Sequence, residues 1–203
     1  GYGLTETHGI VTVNSGKLYV AKPASCGRIV PTLDGKLIDE VGDDVPNSGV
    51  GELCVRGSVV IKGYLNREEA TAEAIQDGWF RTGDIATIDE DGFVFIVDRA
   101  KDMVLRGGEN IYCSEVETAI YQHDAVAEAA VFGVPDDRLG ELVGAAIVLA
   151  DGTSLTEDQL RESLGTSLAK FKIPERIWIL GEPLPRNASG KFLKRELRET
   201  LTA

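Results

Sequence analysis

The feature that most constrains this chain is a change of pattern near Asp98-Arg99-Ala100-Lys101-Asp102. Up to about residue 97 the sequence is rich in glycine and β-branched residues, and turn signals cut it at short intervals: Asp34-Gly35, Gly42-Asp43-Asp44, Pro46-Asn47-Ser48-Gly49 and Asp89-Glu90-Asp91-Gly92. Segments so short favour strands over helices, and the runs between them, KLIDEV, GELCVRG, SVVIKGY, DIATID and FVFIVD, are of strand type. DIATID and FVFIVD bracket a four-residue acidic turn ending in glycine, which reads as a hairpin. One helix, over about 67–76 in REEATAEAIQ, interrupts the strands.

From about residue 101 strand and helix patterns alternate. Ser114 followed by Glu117 reads as a capping box opening a helix through about Gln122. AEAAVFGV and VGAAIVLA are apolar strands joined by PDDRLGEL. Ser154 with Glu157, or Thr156 with Gln159, caps a helix through about Leu168; RIWIL is a last strand, and a final helix over about 192–201 follows EPLPRNASGK. The expected fold class is α+β: a β-rich, barrel-like region over 1–98, a joint over 99–102, and a small α/β region over 103–203 with a short sheet flanked by helices.

Composition excludes several functions. With 21 Lys and Arg against 33 Asp and Glu, the formal charge of −12 repels a nucleic-acid backbone over most of the surface. No stretch approaches the roughly 18 apolar residues of a membrane span, apolar runs such as IWIL and GAAIVLA being short and strand-like. Cys26, Cys54 and Cys113 are odd in number without CxxC spacing, and His8 and His123 stand far apart. A disulfide framework and a Cys/His metal site are therefore not expected, and a reducing cytoplasm fits. The chain opens on GYGLTETHG without an initiator methionine, as a segment of a longer protein would.

Five stretches are poorly explained by packing. GYGLTE places Tyr2 between Gly1 and Gly3, then Thr5 and Glu6, a combination that can bring backbone and an aromatic face against a planar ligand; a glycine-rich turn is the plainer reading. In TGD, Asp84 follows a glycine and suits two sugar hydroxyls. Arg99 and Lys101, in DRAKD, lie at the pattern boundary, where a ligand contact and a hinge compete with a solvated linker. Gly107 and Gly108 form either a tight turn or a close backbone approach for a thin ligand. PRNASGK ends in Gly190-Lys191, within a group of cations that includes Arg186, Lys194, Arg195 and Arg198. A basic helix whose cations favour its C-terminal dipole explains Lys194 to Arg198; Lys191, at the helix start, calls for an anionic partner elsewhere. His8 and His123 read as satisfied structural histidines, and Cys113 lacks a flanking cation.

Taken in order, GYGLTE, GELCVRG with GYLN, GWFRTGD, DRAKD, RGGEN and PRNASGK resemble the C-terminal part of the AMP-forming acyl-CoA synthetases, of the superfamily shared with peptide-synthetase adenylation domains and luciferase. The resemblance implies an ATP-dependent ligase joining a carboxylic acid, such as a fatty acid, to CoA through an acyl-adenylate. It implies nucleotide contacts at Tyr2, Gly3, Thr5, Asp84 and Arg99, with Tyr2 on adenine, Thr5 on the α-phosphate, and Asp84 and Arg99 on ribose. Glu6 would help hold Mg²⁺ carried with ATP, Lys101 would be the hinge, Gly107 and Gly108 would line a pantetheine channel, and Lys191 would be the adenylation lysine. Cys113 and Arg67 stand where many relatives have proline, and neither is a ligand position. The family's Ser/Thr/Gly-rich phosphate loop and acyl pocket are not among these residues, which implies no adenylation by the chain in isolation. Two alternatives remain: a ligase that loads a carrier protein, against which RGGEN and SEVE look closer to the CoA-using branch, and a non-catalytic ferredoxin-like binding module over 103–180.

Overall fold

A computed structural model describes residues 1–46, 48–188 and 190–202. The chain divides into two compact units, Gly1–Lys101 and Asp102–Ala203. The fold class is α+β.

The first unit contains β1 (Thr12–Val13), α1 (Gly16–Ala21), β2 (Gly27–Ile29), β3 (Leu33–Ile38), β4 (Asp44–Val45), β5 (Val50–Gly57), α2 (Glu68–Ala74), β6 (Ile75–Gln76), β7 (Trp79–Ile88) and β8 (Phe93–Arg99). Its strands form one antiparallel sheet in the order β1-β2-β8-β7-β5-β3-β4, with β6 on β7. The DIATID–FVFIVD hairpin is β7–β8, closed by Asp89, whose carboxylate accepts from the Asp91 and Phe93 amides. The core gathers Val11, Leu37, Leu53, Val55, Ala86 and Val94. SVVIKGY, expected as a strand, is not one. The backbone turns at Gly57–Val60, and the Ile61 amide donates to the Glu6 carbonyl at 2.8 Å, so its β-branched residues line a connection rather than a ladder.

The second unit contains β9 (Val104–Arg106), β10 (Glu109–Ile111), α3 (Cys113–Ile120), β11 (Val126–Asp136), β12 (Gly140–Leu149), α4 (Glu157–Leu164), β13 (Arg176–Leu180) and α5 (Lys194–Leu201). β12 is the central strand: it pairs antiparallel with β11, parallel with β13 and, at Gly140, with β9. Successive strand residues point to opposite faces. Ala129, Val131, Val143, Ala145 and Ile147 therefore pack with Val116 and Ile120 of α3 and Leu160 and Leu164 of α4, while Ala130, Phe132, Leu142 and Ala146 pack with Leu184 and Leu197 of α5. A sheet covered on both faces explains why these strands read as unbroken apolar runs.

Several boundaries differ from the sequence expectation. β11 and β12 extend into PDDRLGEL, leaving Asp137–Leu139 as the turn; the Asp136 carboxylate accepts from the Arg138 and Leu139 amides. Thr156 and Gln159 form the expected capping box, with Gln159 N donating to Thr156 Oγ1 at 3.3 Å and Thr156 N to Gln159 Oε1 at 2.9 Å. That helix ends at Leu164 rather than Leu168. The Ser114–Glu117 box does not form: α3 starts at Cys113 after Tyr112 and ends at Ile120. Glu117 is engaged elsewhere, accepting from the Val131 amide and from Lys194 Nζ, both at 2.8 Å. Lys194 opens α5 instead of favouring its C-terminal end, and Glu117 compensates it there. Burial opposes the charge on Lys194, but Cys113, Glu117 and Asp102 outweigh it and raise its pKa. The fold thus supplies the cation near Cys113 that the flanking sequence lacks.

Candidate functional site

The ladder between β5 and β7 is interrupted. Glu52 pairs with Ile85 and Cys54 with Arg81, so Leu53 alone stands opposite Thr82, Gly83 and Asp84. Gly83 takes φ +72°, a left-handed backbone that favours glycine. Asp84, 4% exposed, then receives the Tyr2 hydroxyl on Oδ2 and Arg99 Nε on Oδ1 at 3.1 Å. Burial and the Asp84 carboxylate both push the Tyr2 pKa up, so Tyr2 remains a neutral donor. Tyr2 itself is held by its amide on Thr12 Oγ1 at 3.1 Å. Each carboxylate oxygen has two acceptor positions, which leaves Asp84 able to accept further hydroxyl donors beside a guanidinium.

Next to this cluster lies a cleft of about 740 Å³ that includes Glu6, Tyr64, Thr82, Gly83, Arg99 and Lys101. Tyr64 donates to Glu6 Oε1 at 3.0 Å, and its pKa is raised by burial and by that bond. Glu6 Oε2 takes part in no ion pair among the described residues. Thr5 is exposed at the start of the one-turn helix Thr5–Thr7, and Lys101 is exposed in the one-turn helix Ala100–Asp102 that ends the first unit. Gly3 has a packing reason of its own: a Cβ there would meet the Gly9 carbonyl oxygen at 2.1 Å.

The second unit holds the other sequence candidates. Gly107 and Gly108 turn the β9–β10 hairpin at φ +60° and +89°, the paired left-handed conformation of a two-residue hairpin. A Cβ on Gly107 would lie 3.2 Å from Leu139, whereas one on Gly108 would meet nothing within 4 Å. The turn accounts for both glycines, and the open side of Gly108 leaves its backbone approachable.

Lys191 sits on a small loop whose arms are tied by Leu193 N to Pro185 O and Asn187 N to Lys191 O, each 2.9 Å, and by an Arg186–Phe192 bridge. Glu128 anchors this loop, accepting from the Leu184 amide at 2.7 Å and from Arg186 at 2.8 Å. Arg186, then the Leu184 amide, hold the Glu128 carboxyl below its ordinary pKa. Lys191 is exposed and forms no ion pair among the described residues, while Arg186, Lys194, Arg195 and Arg198 are all paired with glutamates. Ser189 of the motif lies outside the described residues.

Tyr2, Asp84 and Arg99 are thus brought together, with Glu6 and Lys101 along the adjoining cleft; Gly107, Gly108 and Lys191 occupy two loops of the second unit. Sequence reasoning missed Glu52, Tyr64 and Glu128. A carboxylate inside the apolar run of GELCVRG was the available signal for Glu52. His8 Nδ1 lies 2.7 Å from the Val59 carbonyl, and His123 Nδ1 accepts from the Ala125 amide at 3.2 Å. Cys26, Cys54 and Cys113 are not joined by disulfide bonds. Among the described residues no cluster of three or more metal-ligating side chains occurs, and no helix is long and apolar enough to cross a membrane.

Residues 1–65 match the family model of the AMP-binding enzymes, and residues 115–191 match that of the AMP-binding enzyme C-terminal domain. A long-chain-fatty-acid–CoA ligase of Mycobacterium tuberculosis is 43% identical across 100% of this chain and 40% of its own length. A feruloyl-CoA synthase of an Amycolatopsis species is 45% identical across 98% of this chain and 40% of its own. Among solved structures, the O-succinylbenzoate coenzyme A synthetase of Bacillus subtilis in complex with ATP and magnesium superposes with a TM-score of 0.85 at 37% identity, covering 97% of this chain and 40% of that one. The chain therefore spans about 40% of the length of the relatives it matches. With both family models matched in order along one chain, it belongs to the AMP-binding enzymes.

Proposed function

We propose that this chain is part of an ATP-dependent acid–CoA ligase, in which the first unit binds the nucleoside and the second supplies the residues that alternate between two half-reactions. The observation that carries the reading is the Tyr2–Asp84–Arg99 cluster: a buried carboxylate with spare acceptor capacity, flanked by a neutral phenol and a guanidinium, suits the two hydroxyls of a ribose. Thr5, exposed one residue before Glu6, would donate to the α-phosphate. Magnesium binds readily through one or two carboxylates plus substrate phosphates, so the single available oxygen of Glu6, with Tyr64 holding the other, fits an ion that arrives with ATP. That ion would neutralise phosphate charge.

In adenylation an acid carboxylate attacks the α-phosphorus and pyrophosphate leaves, which brings two anions together. A cation whose charge is not neutralised by an ion pair is the group such a step requires, and Lys191 forms none among the described residues. In the second step a CoA thiol attacks the acyl carbonyl and AMP leaves; the unobstructed side of Gly108 suits a passing pantetheine arm. Lys101, last residue of the first unit, is the proposed hinge between the arrangements. The acid is a hydrophobic carboxylate of the fatty or aryl kind, in line with the relatives' substrates. The test is acid-dependent pyrophosphate release by the full-length protein carrying this sequence, over a panel of acids, followed by CoA-thioester detection. Release of pyrophosphate with no thioester on adding CoA would refute the CoA-ligase reading.

A further inference from the structure

The interrupted β5–β7 ladder also assigns a part to a residue that touches no proposed ligand. We propose that Glu52 is a positioning residue: its carboxylate, bridging Arg81 and the Gly83 amide, holds the Thr82–Asp84 segment so that Asp84 presents its carboxylate to a ribonucleoside diol. The inference rests on the reading of Asp84 as the ribose ligand and adds what sets its geometry.

One residue of β5 against three of β7 removes regular ladder bonds from Thr82, Gly83 and Asp84. Backbone groups in a partly buried segment must find other partners. The Gly83 amide donates to Glu52 Oε1 at 3.0 Å, the Thr82 hydroxyl donates to the Leu53 carbonyl at 2.7 Å, and the Asp84 amide donates to Thr82 Oγ1 at 3.1 Å. Glu52 Oε2 is taken by Arg81, with Nε at 2.9 Å. Thus both oxygens of a carboxylate that is 8% exposed face donors. Glutamine cannot replace it: with one acceptor and one NH₂, either way round it sets a donor against Arg81 or against the Gly83 amide. Bulges of this kind re-aim a side chain, and here the re-aimed residue is Asp84.

The test uses ¹⁵N-labelled chain, amide exchange, and titration with AMP and with 2′,3′-dideoxy-AMP at millimolar concentration. In Glu52→Gln the Gly83 and Asp84 amides should exchange about tenfold faster or more, the loss expected for one hydrogen bond to a charged group. Amides of β8 should keep their protection. The preference for AMP over the dideoxy nucleotide, read from the Asp84 and Arg99 resonances, should disappear. Glu52→Asp, which keeps the charge but is one methylene short, should give the same changes to a smaller degree, and it carries the test if the glutamine variant does not fold. Unchanged exchange at Gly83 and Asp84, or an intact preference for AMP in a variant whose Gly83 has been freed, would overturn the proposal. A wild-type chain that takes both nucleotides equally would overturn the ribose reading and the ligand part of this inference with it, whereas accelerated exchange would still show Glu52 holding the segment.

Discussion

Lys194→Met should destabilise the second unit by removing one charge from a pair that joins three elements. Glu117 on α3 binds the Val131 amide on β11 and Lys194 on α5, and the two side chains are about one-fifth exposed, 20% and 21%. Breaking one side of a fully buried pair costs about 3–5 kcal/mol; residual solvation at this exposure lowers that to about 2–3 kcal/mol. With a urea slope of about 1–3 kcal/mol/M, the midpoint should fall by about 0.7–3 M. The chain contains two tryptophans, Trp79 in the first unit and Trp178 in the second, so in a Trp79→Phe background fluorescence reports the second unit. The companion Glu117→Gln/Lys194→Met variant keeps an acceptor for Val131 without a stranded charge and should regain at least half the loss. Coupling below about 0.5 kcal/mol in the four-member cycle would refute the argument, because it would mean the two groups act independently.

Three further outcomes follow from the same structure. Glu128, whose folded pKa lies below its ordinary 4.5 because of Arg186, contributes stability that is present above 4.5 and lost as pH falls through the depressed value; amide protection at Leu184 should decline in that acid window, and Glu128→Gln should abolish the pH dependence. Cys54, buried and pushed up to about 11 by desolvation and by Glu52, should resist alkylation at pH 8, as should the fully buried Cys113, while half-buried Cys26 labels first by mass spectrometry. In the full-length protein Gly108→Trp should stop thioester formation while sparing pyrophosphate release, whereas Gly108→Asn, which tolerates the left-handed turn, should retain most thioesterification; equal loss in both variants would attribute the effect to the turn alone.

How far the sequence reached depended on whether a signal was local. The Asp89–Gly92 hairpin and the Thr156–Gln159 box were legible because each depends on residues within four positions of one another. Ser114 and Glu117 satisfied the same local rule and failed, since Lys194 and Val131, distant in sequence, compete for the carboxylate. SVVIKGY has strand composition, but Ile61 is drawn to the Glu6 carbonyl instead of a neighbouring strand. For the site, TGD showed a carboxylate after a glycine, yet the extra residues in β7, the Glu52 bridge and the meeting of Asp84 with Tyr2 are properties of register. Motif order along the chain conveyed the family where propensity could not.

The central claim, a nucleotide-activating ligase whose second unit works in two steps, is tested most directly by Lys191→Ala in the full-length protein, with both half-reactions measured on one preparation. Losing the transition-state charge stabilisation proposed for Lys191 should slow acid-dependent pyrophosphate release roughly a hundredfold or more. Thioester formation from supplied acyl-adenylate and CoA should proceed at close to the wild-type rate. Near-normal pyrophosphate release by the Lys191→Ala protein would contradict the account and reduce Lys191 to an exposed lysine on a solvated loop.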